Sequence, residues 1–255
     1  MNTLIKNIIK DKKVEPFARW LVKRSRGIPI PFDLVKNEIY DRQAVEVIER
    51  VLKKDSNCID VGCHKGQFLK HFMKSAPQGS YYAFEPIPKL AASLADQFPS
   101  VHVFPYALSN ESGEAIFYVI PESPALSGLD RRDFLAPGKS RDEIKVRVER
   151  LDHIIPLEVK IDIMKIDVEG AEGLVISGGI ETIRRNAPYI ILEHGGSSSA
   201  AFGISSSDIY DLLTGHCGLK LSLLPSWLNG RAVLTKQEFI AADEWCFLAH
   251  PAYQA

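Results

Sequence analysis

The sequence predicts an α/β fold built on an open, mostly parallel β-sheet, for three reasons. Short apolar runs of strand length alternate with amphipathic helical segments between about residues 57 and 194. The first apolar run ends in a glycine turn that leads directly into a helix, and the second run ends in an acid, Glu85. A strand, a glycine turn, a helix and a second strand with an acid at its tip form the first unit of a nucleotide-binding sheet.

The composition is that of a globular domain with short additions. The 255 residues are 45% hydrophobic and 25% charged, which suffices for a three-layer core. A net charge of −1 gives no overall field that would attract nucleic acid, so no nucleic-acid partner is expected. The four cysteines form no C-x-x-C pair and are predicted to be free thiols in a reducing compartment. We therefore expect a cytoplasmic protein without a metal site.

Residues 1–35 are predicted to form an N-terminal extension that precedes one domain at 36–255. Within residues 1–26, apolar side chains recur at helical spacing, and Lys and Arg outnumber the acids. One interpretation is a helix that contacts a membrane surface, and the other is a helix that packs on its own domain or on a second subunit of a homodimer. The Gly/Pro pattern at 27–31 predicts a linker or an extended lid.

The first half of the domain alternates between helices and strands. The predicted elements are an amphipathic helix near 41–54, strands at 57–61, 80–84 and 101–105, and helices at 66–75 and 87–97. Pro86 and Pro88 suit the start of the predicted helix at 87–97, because proline is tolerated in the first turn of a helix.

An interruption follows, in which strands at 115–120 and 145–149 flank a loop at 121–141 that is rich in Pro, Ser and Gly. This loop is either a substrate-side lid that includes Ser127 and Leu129, with Gly128 between them, or an ordinary insertion. The alternation then resumes. Its predicted elements are a strand at 161–167, a helix from 170 to about 183, a strand at 188–193, a Ser-rich loop at 197–207, a helix at 208–215 and strands near 219–224 and 244–249.

The glycine turn has the spacing Asp60-x-Gly62-x-x-x-Gly66 rather than G-x-G-x-x-G. A dinucleotide needs the third glycine and a clear path for its pyrophosphate, which Asp60 would repel. The same acid would accept a ligand that carries an ammonium group. The turn therefore favours S-adenosylmethionine (SAM), in which adenosine is joined to a cationic sulfonium amino acid, and Glu85 is placed to bind its ribose hydroxyls.

Acids and one histidine gather where the predicted strands end, which is the edge at which an open parallel sheet binds ligands. The tips are Asp60–Gly66, Glu85, Pro105–Leu108, Asp167–Glu172 and Glu193–His194. His194 is the first candidate for a general base and Glu169 the second. Asp167, Glu193 and His194 would also suit a divalent metal, but their spacing does not require one. Glu172 is either part of the site or a favourable charge at a helix N-terminus.

Four motifs resemble the FkbM family of SAM-dependent methyltransferases. They are Ile59–Gly66, Phe84–Pro86, Ala107–Ser109 and Met164–Glu172, which reads Met-Lys-Ile-Asp-Val-Glu-Gly-Ala-Glu. The same order continues through Gly178 and Gly179 to the strand that ends at Glu193, so the resemblance covers roughly residues 36–194. It implies a Rossmann-like class I methyltransferase fold with three αβα layers, a mostly parallel seven-stranded sheet and an antiparallel C-terminal strand.

The resemblance also implies O-methylation of a hydroxyl, on macrolide-like natural products or on sugars of bacterial surface glycans. It implies that Asp60, Gly62 and Gly66 line the methionine part of SAM, that Glu85 binds the ribose, that Ala107 and Leu108 flank the adenine, and that Asp167 lies near the sulfonium and the substrate. The neighbouring Val61, Cys63, Phe68 and Pro86 are expected to complete the cofactor site. His194, Asp167 and Glu169 are the candidate catalytic residues.

Three other classes of protein are alternatives to an O-methyltransferase. Val168-Glu169-Gly170 stands where methyltransferases acting on nucleic-acid amino groups place Pro-Pro-aromatic, which disfavours that class. An NAD-dependent oxidoreductase would use Glu85 for its ribose but lacks the third glycine. A non-catalytic module that binds SAM stays open. An acid-lined mouth and a Ser-rich loop favour a sugar over a polyketide as the acceptor.

Overall fold

The computed structural model describes residues 32–130, 140–195, 199–230 and 233–252. The predicted basic helix within 1–26, the linker at 27–31 and parts of the two predicted loops lie outside the described residues. The chain forms two units, Met1–Glu46 and Val47–Ala255, and all elements after the first helix belong to the second unit.

The described residues contain ten strands. In chain order they are β1 (Cys58–Val61), β2 (Tyr81–Phe84), β3 (Val101–Phe104), β4 (Tyr106–Leu108), β5 (Gly113–Val119), β6 (Asp142–Glu149), β7 (Ile163–Ile166), β8 (Tyr189–Glu193), β9 (Lys220–Leu223) and β10 (Cys246–His250). The helices are α1 (Phe32–Val51), α2 (Gln67–Ser75), α3 (Pro88–Gln97), α4 (Leu151–Ile154), α5 (Glu172–Gly178), α6 (Ile180–Asn186), α7 (Ser206–Asp211), α8 (Leu224–Leu228) and α9 (Lys236–Ile240).

Seven strands form the main sheet in the order β3-β2-β1-β7-β8-β10-β9. The first five are parallel to one another, whereas β10 is antiparallel to both β8 and β9. The strand order reverses between β1 and β7, so the carboxyl ends of these two strands border a crevice where such sheets bind ligands. The predicted fold class, with its mostly parallel seven-stranded sheet and antiparallel C-terminal strand, is confirmed.

The central strands are apolar because both of their faces are covered. All four residues of β1, β2 and β7 are buried, as is typical of parallel strands between two helical layers. Ile59, Phe84, Met164 and Ile166 are at most 1% exposed and belong to one large core cluster. This core fixes the strand ends from which the functional side chains project.

A second sheet of three strands, in the order β4-β6-β5, interrupts the α/β alternation. Its β5–β6 hairpin confirms the predicted strands near 115–120 and 145–149, with β6 beginning earlier, at Asp142. Strand β4 was not predicted. It pairs in parallel with β6, so Tyr106 lies opposite Arg147 and Leu108 opposite Glu149.

Two details of the helices differ from the sequence-based expectation. The helix predicted from residue 170 to about 183 is two helices, α5 and α6, which meet at Gly179. A Cβ on Gly178 would lie 1.9 Å from the Ser109 carbonyl oxygen, so glycine here lets α5 pack against the turn after β4. Helices α8 and α9 were not predicted. Within the described parts of the chain, no helix is both long and apolar enough to cross a membrane.

Candidate active site

A cavity that opens to solvent lies at the carboxyl ends of β1, β2 and β7. Its space, counted together with the open mouth, is about 570 Å³. The tips of the main sheet contribute Val61, Gly62, His64, Phe84, Glu85, Pro86, Ile87, Asp167, Val168, Glu169 and Ala171. The small sheet and the segment that follows β5 contribute Tyr106, Ala107, Leu108, Phe117, Pro124, Ala125, Ser127 and Leu129.

Gly62 is required by the close crossing of two loops. Its φ is +77°, and a Cβ at this position would lie 1.9 Å from the Asp167 carbonyl oxygen. The Asp167 N–H donates to the Val61 carbonyl (3.1 Å), which holds the same crossing together. The loop after β1 and the loop after β7 therefore meet backbone to backbone at the cavity wall.

Gly66 is required by close packing of the turn, and its predicted place beside the methionine part of SAM stays a prediction. Its φ is +72°, and an added Cβ would lie 2.6 Å from a ring carbon of Phe98 and 2.8 Å from a methyl of Leu94. It therefore allows the turn to pack against α3 and its C-terminal end. Gly66 does not line the cavity, and neither do Asp60, Cys63 and Phe68 from the same predicted set.

Glu85 is buried at the tip of β2 and lines the cavity. Its Oε2 accepts the His64 N–H (3.0 Å) and its Oε1 accepts the Ile87 N–H (2.9 Å). Burial raises the pKa of Glu85 to about 7, against the lowering effect of these two hydrogen bonds. Each carboxylate oxygen keeps a further lone pair, so this fixed side chain can also accept hydroxyl donors from a ligand.

Asp60 precedes the lining residues Val61 and Gly62 but does not itself line the cavity. It is 1% exposed, and its Oδ1 has no hydrogen-bond partner. Burial raises the pKa of Asp60 to about 6, a shift that Lys165 opposes and Asp167 reinforces. A buried polar atom without a partner is uncommon in folded proteins, and a water or a ligand beside Asp60 would satisfy it.

Asp167 lines the cavity and forms an ion pair with a buried lysine. The Lys165 Nζ lies 2.7 Å from Asp167 Oδ2, and the two side chains are 9% and 27% exposed. Burial alone would lower the pKa of Lys165, but the carboxylates of Asp167 and Asp60 raise it above its ordinary value. The lysine is therefore charged, and sequence reasoning had not singled it out.

Glu172 holds the loop after β7 in place by hydrogen bonds to its backbone. Oε1 of Glu172 accepts the Gly170 N–H (2.8 Å) and the Val168 N–H (3.4 Å). Burial raises the pKa of Glu172 to about 7, although these bonds lower it. Glu169, between the two donors, lines the cavity and adopts a φ of 60°, an uncommon backbone conformation for a residue other than glycine.

His194, the first candidate base, is not brought to the cavity. It is 3% exposed, its Nε2 contacts Ser206 Oγ (2.8 Å), and its Nδ1 contacts Ser199 Oγ (3.0 Å). The ring stacks on Phe239 with centroids 5.6 Å apart. Burial lowers the pKa of His194 to about 4. The imidazole is thus neutral and holds the chain between β8 and α7.

The apolar wall of the cavity combines the predicted Ala107 and Leu108 with residues that were not among the predicted cofactor-binding residues. Tyr106 and Phe117 belong to the small sheet, and Ile87, Pro124 and Ala125 to the loops beside it. Ser127 and Leu129, from the predicted lid, do line the cavity. The segment that carries them is tied to β5 by two hydrogen bonds between Tyr118 and Gly128 (2.9 and 3.2 Å) and by the Ile120 N–H on Ser127 Oγ (3.0 Å).

Known proteins share this sequence pattern. Residues 60–221 match the Methyltransferase FkbM domain, which is more than half of the chain. The 2-O-methyltransferase NoeI of Sinorhizobium fredii is 28% identical over 209 residues, covering 73% of this chain and 76% of NoeI. AMB antimetabolite synthetase AmbE of Pseudomonas aeruginosa is 28% identical over 229 residues, covering 75% of this chain but only 10% of AmbE.

Among solved structures, Methyltransferase FkbM from Methylobacillus flagellatus aligns with a TM-score of 0.49 at 14% identity, covering 79% of this chain and 45% of that one. The domain match begins at Asp60, in the glycine turn, and extends past β8 into β9. It includes Glu85 at the tip of β2 and the Lys165–Asp167 pair. The chain therefore belongs to the FkbM family of methyltransferases.

Proposed function

We propose that the protein transfers a methyl group from SAM to a hydroxyl oxygen of a sugar, in a bacterial surface glycan or glycolipid. One observation carries this proposal. A single cavity joins Glu85, fixed at the tip of β2, to Asp167, paired with Lys165 at the tip of β7. An acid at the tip of β2 is suited to a ribose in a sheet of this topology, and the crevice beside β7 leaves room for an acceptor next to Asp167.

The residues of the cavity fit SAM. Glu85 would hold the ribose hydroxyls with the lone pairs that its two backbone hydrogen bonds leave open. Ala107 and Leu108 line the apolar side and would flank the adenine. Gly62 and His64 present backbone to the methionine end, with the unpartnered Asp60 oxygen buried below them.

When bound, SAM supplies a methyl group that its sulfonium has already activated for transfer. The chain then has to position an acceptor hydroxyl and take up its proton. Asp167 is suited to this because one of its oxygens is held by Lys165 while the side chain lines the cavity. A positioned carboxylate of this kind contributes about 10²–10⁴-fold to the rate. Glu169 lines the same wall and is the second candidate.

The acceptor is proposed from chemistry and from one relative. NoeI is named as a 2-O-methyltransferase, which supports oxygen as the methylated atom. The acids Glu85, Asp167 and Glu169 suit a polyhydroxylated acceptor. A polyketide-like hydroxyl is the second candidate, because Phe117 and Leu129 give the cavity an apolar wall.

Transfer of a radiolabelled methyl group tests the proposal. We would incubate the protein with labelled SAM and with separate fractions of surface glycan, glycolipid and small metabolites. Label in either of the first two fractions supports the sugar acceptor, whereas label in the third alone supports the polyketide-like one. No labelled fraction, together with tight SAM binding, would instead identify a non-catalytic SAM-binding module.

Calorimetric titration separates SAM from NAD. We expect binding of SAM and none of NAD, and the reverse result would identify an oxidoreductase. Asp60→Ala should abolish SAM binding because it removes the buried acid below the glycine turn. Asp162→Ala is the matched control, since Asp162 accepts a hydrogen bond from the Asn57 N–H (3.0 Å) near the opposite end of β1.

A further inference from the structure

Lys165 is a buried cation whose part in the chemistry proposed above has so far been only that of an ion-pair partner of Asp167. It lies in the central strand β7 and is 7% exposed, a degree of burial that is rare for lysine unless the charge is paired. It does not line the cavity. Any effect on a bound substrate must therefore pass through a neighbouring side chain.

The register of the sheet places Lys165 among acids. It lies directly opposite Asp60 on β1. Asp167 is two residues further along, so it projects on the same face, and Glu193 follows the Ile166–Leu192 pair on β8. Burial raises the pKa of Asp60 and the pKa of Glu193, and the charge of Lys165 opposes both of these shifts.

One contact of Lys165 is much closer than the others. Its Nζ donates a hydrogen bond to Asp167 Oδ2 at 2.7 Å and lies 5.0 Å from the centre of the Phe68 ring. The ring faces one side of the ammonium, in the range of a cation–π contact. Phe68 and the ion pair together leave the ammonium little freedom to move, so Asp167 is held at the cavity wall by a fixed partner.

We propose that Lys165 is a positioning residue for methyl transfer: its ammonium holds Oδ2 of Asp167, so that the carboxylate presents its other oxygen to the acceptor hydroxyl. This proposal rests on the proposed function. It assigns Lys165 to the reaction rather than to the core alone, and it explains why a charged residue occupies the middle of an otherwise apolar strand. The predicted Phe68 then acts on Lys165 instead of on the cofactor.

The test is a double-mutant cycle with a structural readout. Lys165→Met removes the ammonium and keeps an unbranched side chain of similar length against Phe68. Asp167→Asn removes the charge of its partner. The double variant Lys165→Met/Asp167→Asn removes both charges of the ion pair, so no unpaired charge of that pair stays buried. It should therefore fold even if Lys165→Met alone does not.

Lys160→Met is the matched control. Lys160 forms an ion pair with Asp162 at the same 2.7 Å and the same spacing of two residues, but it is 73% exposed and precedes β7 at the opposite end of the strand. We expect its turnover number to equal that of the wild type. A loss in this variant equal to that in Lys165→Met would overturn the proposal, because any lysine–aspartate pair would then have the same effect.

Turnover at saturating SAM and acceptor distinguishes the roles. We expect Asp167→Asn to lower kcat by about 10²-fold and Lys165→Met by a similar factor. The double variant should match Asp167→Asn within about threefold, because residues that act as one unit are not additive. An unchanged kcat in Lys165→Met, or a double variant that multiplies the two losses, would overturn the proposal.

Crystal structures give a readout that does not depend on turnover. In the wild type and in Lys160→Met, Asp167 should keep Oδ2 at its hydrogen-bond distance from Nζ, and in Lys165→Met the carboxylate should leave that position. An Asp167 that stays in place without the ammonium would overturn the proposal. A wild type that methylates no hydroxyl acceptor refutes the proposed function, and the crystallographic comparison still decides whether Lys165 fixes Asp167.

Discussion

The carbonyl oxygen of Asp167 lies so close to Gly62 that a Cβ built on this glycine would be 1.9 Å away. The contact joins the loop after β1 to the loop after β7. Both loops line the cavity, so its shape depends on this crossing. The closeness of the two backbones shows that Gly62 is needed for this crossing whether or not a ligand is bound.

Gly62→Ala should therefore lower the free energy of unfolding by about 3 kcal/mol or more, because backbone rather than a flexible side chain has to move. Gly203→Ala is the control, since Gly203 also has a positive φ (+66°) but nothing lies within 4 Å of its added Cβ. It should cost only the left-handed strain of about 1–2 kcal/mol. Urea denaturation of both variants measures the difference, and equal losses would contradict the proposed crossing.

Glu85→Gln should weaken SAM binding by about tenfold or more. Both carboxylate oxygens of Glu85 already accept backbone N–H groups, and glutamine offers only one acceptor oxygen. A lost acceptor for a ribose hydroxyl is worth about 1.4 kcal/mol, or one factor of ten. Calorimetry with SAM and with an analogue lacking both ribose hydroxyls measures this. The loss should appear for SAM alone, and an equal loss for the analogue would show that Glu85 acts only on the loop.

Glu172→Gln should raise the free energy of unfolding, and the gain over the wild type should grow as the pH rises. Burial raises the pKa of Glu172 from 4.5 to about 7, so the folded state holds the proton more tightly than the unfolded state. The wild type therefore loses stability as pH rises between these values, whereas glutamine keeps the acceptor oxygen and cannot ionise.

The gain of Glu172→Gln over the wild type should be near zero below pH 4.5 and reach about 3 kcal/mol at pH 8. Chemical denaturation at several pH values measures it. A constant difference across this range would show that the carboxyl of Glu172 does not titrate between the two states.

His194→Ala should reduce stability by about 2 kcal/mol and leave kcat of the folded protein unchanged within about threefold. The substitution removes contacts to Ser199 and Ser206 and the stacking on Phe239, none of which reaches the cavity. Ser206→Ala removes only one of these contacts and should have a smaller effect. A loss of 10²-fold or more in kcat would instead support the general-base role predicted from the sequence.

Much of the main sheet was predictable because its central strands are continuous apolar runs that end in glycine or acids. Strand β4 was not, because three residues are too few to show a period and their partner β6 lies far along the chain. Helix α9 was missed although its signal is present: Thr235 and Glu238 form a capping box at its start.

The acids of the site were predictable as strand tips, but the direction of each side chain was not. His194 follows β8 as expected, yet its N–H bonds to the Trp245 carbonyl (2.7 Å), which continues the pairing with β10 and buries the ring. Tyr106 and Phe117 line the cavity from β4 and β5 of the small sheet. Their placement depends on long-range strand pairing, which no local pattern reveals.

The position of β7 beside β1 has a consequence for how the protein is made. A nascent chain that has emerged only as far as β3 already contains the glycine turn and Glu85, but one edge of β1 is bare until β7 is synthesised. Such an exposed apolar strand edge pairs readily with other chains. We therefore expect a chain that ends before about residue 166 to aggregate, and such a chain would also lack the part of the cavity wall that Asp167 and Glu169 supply.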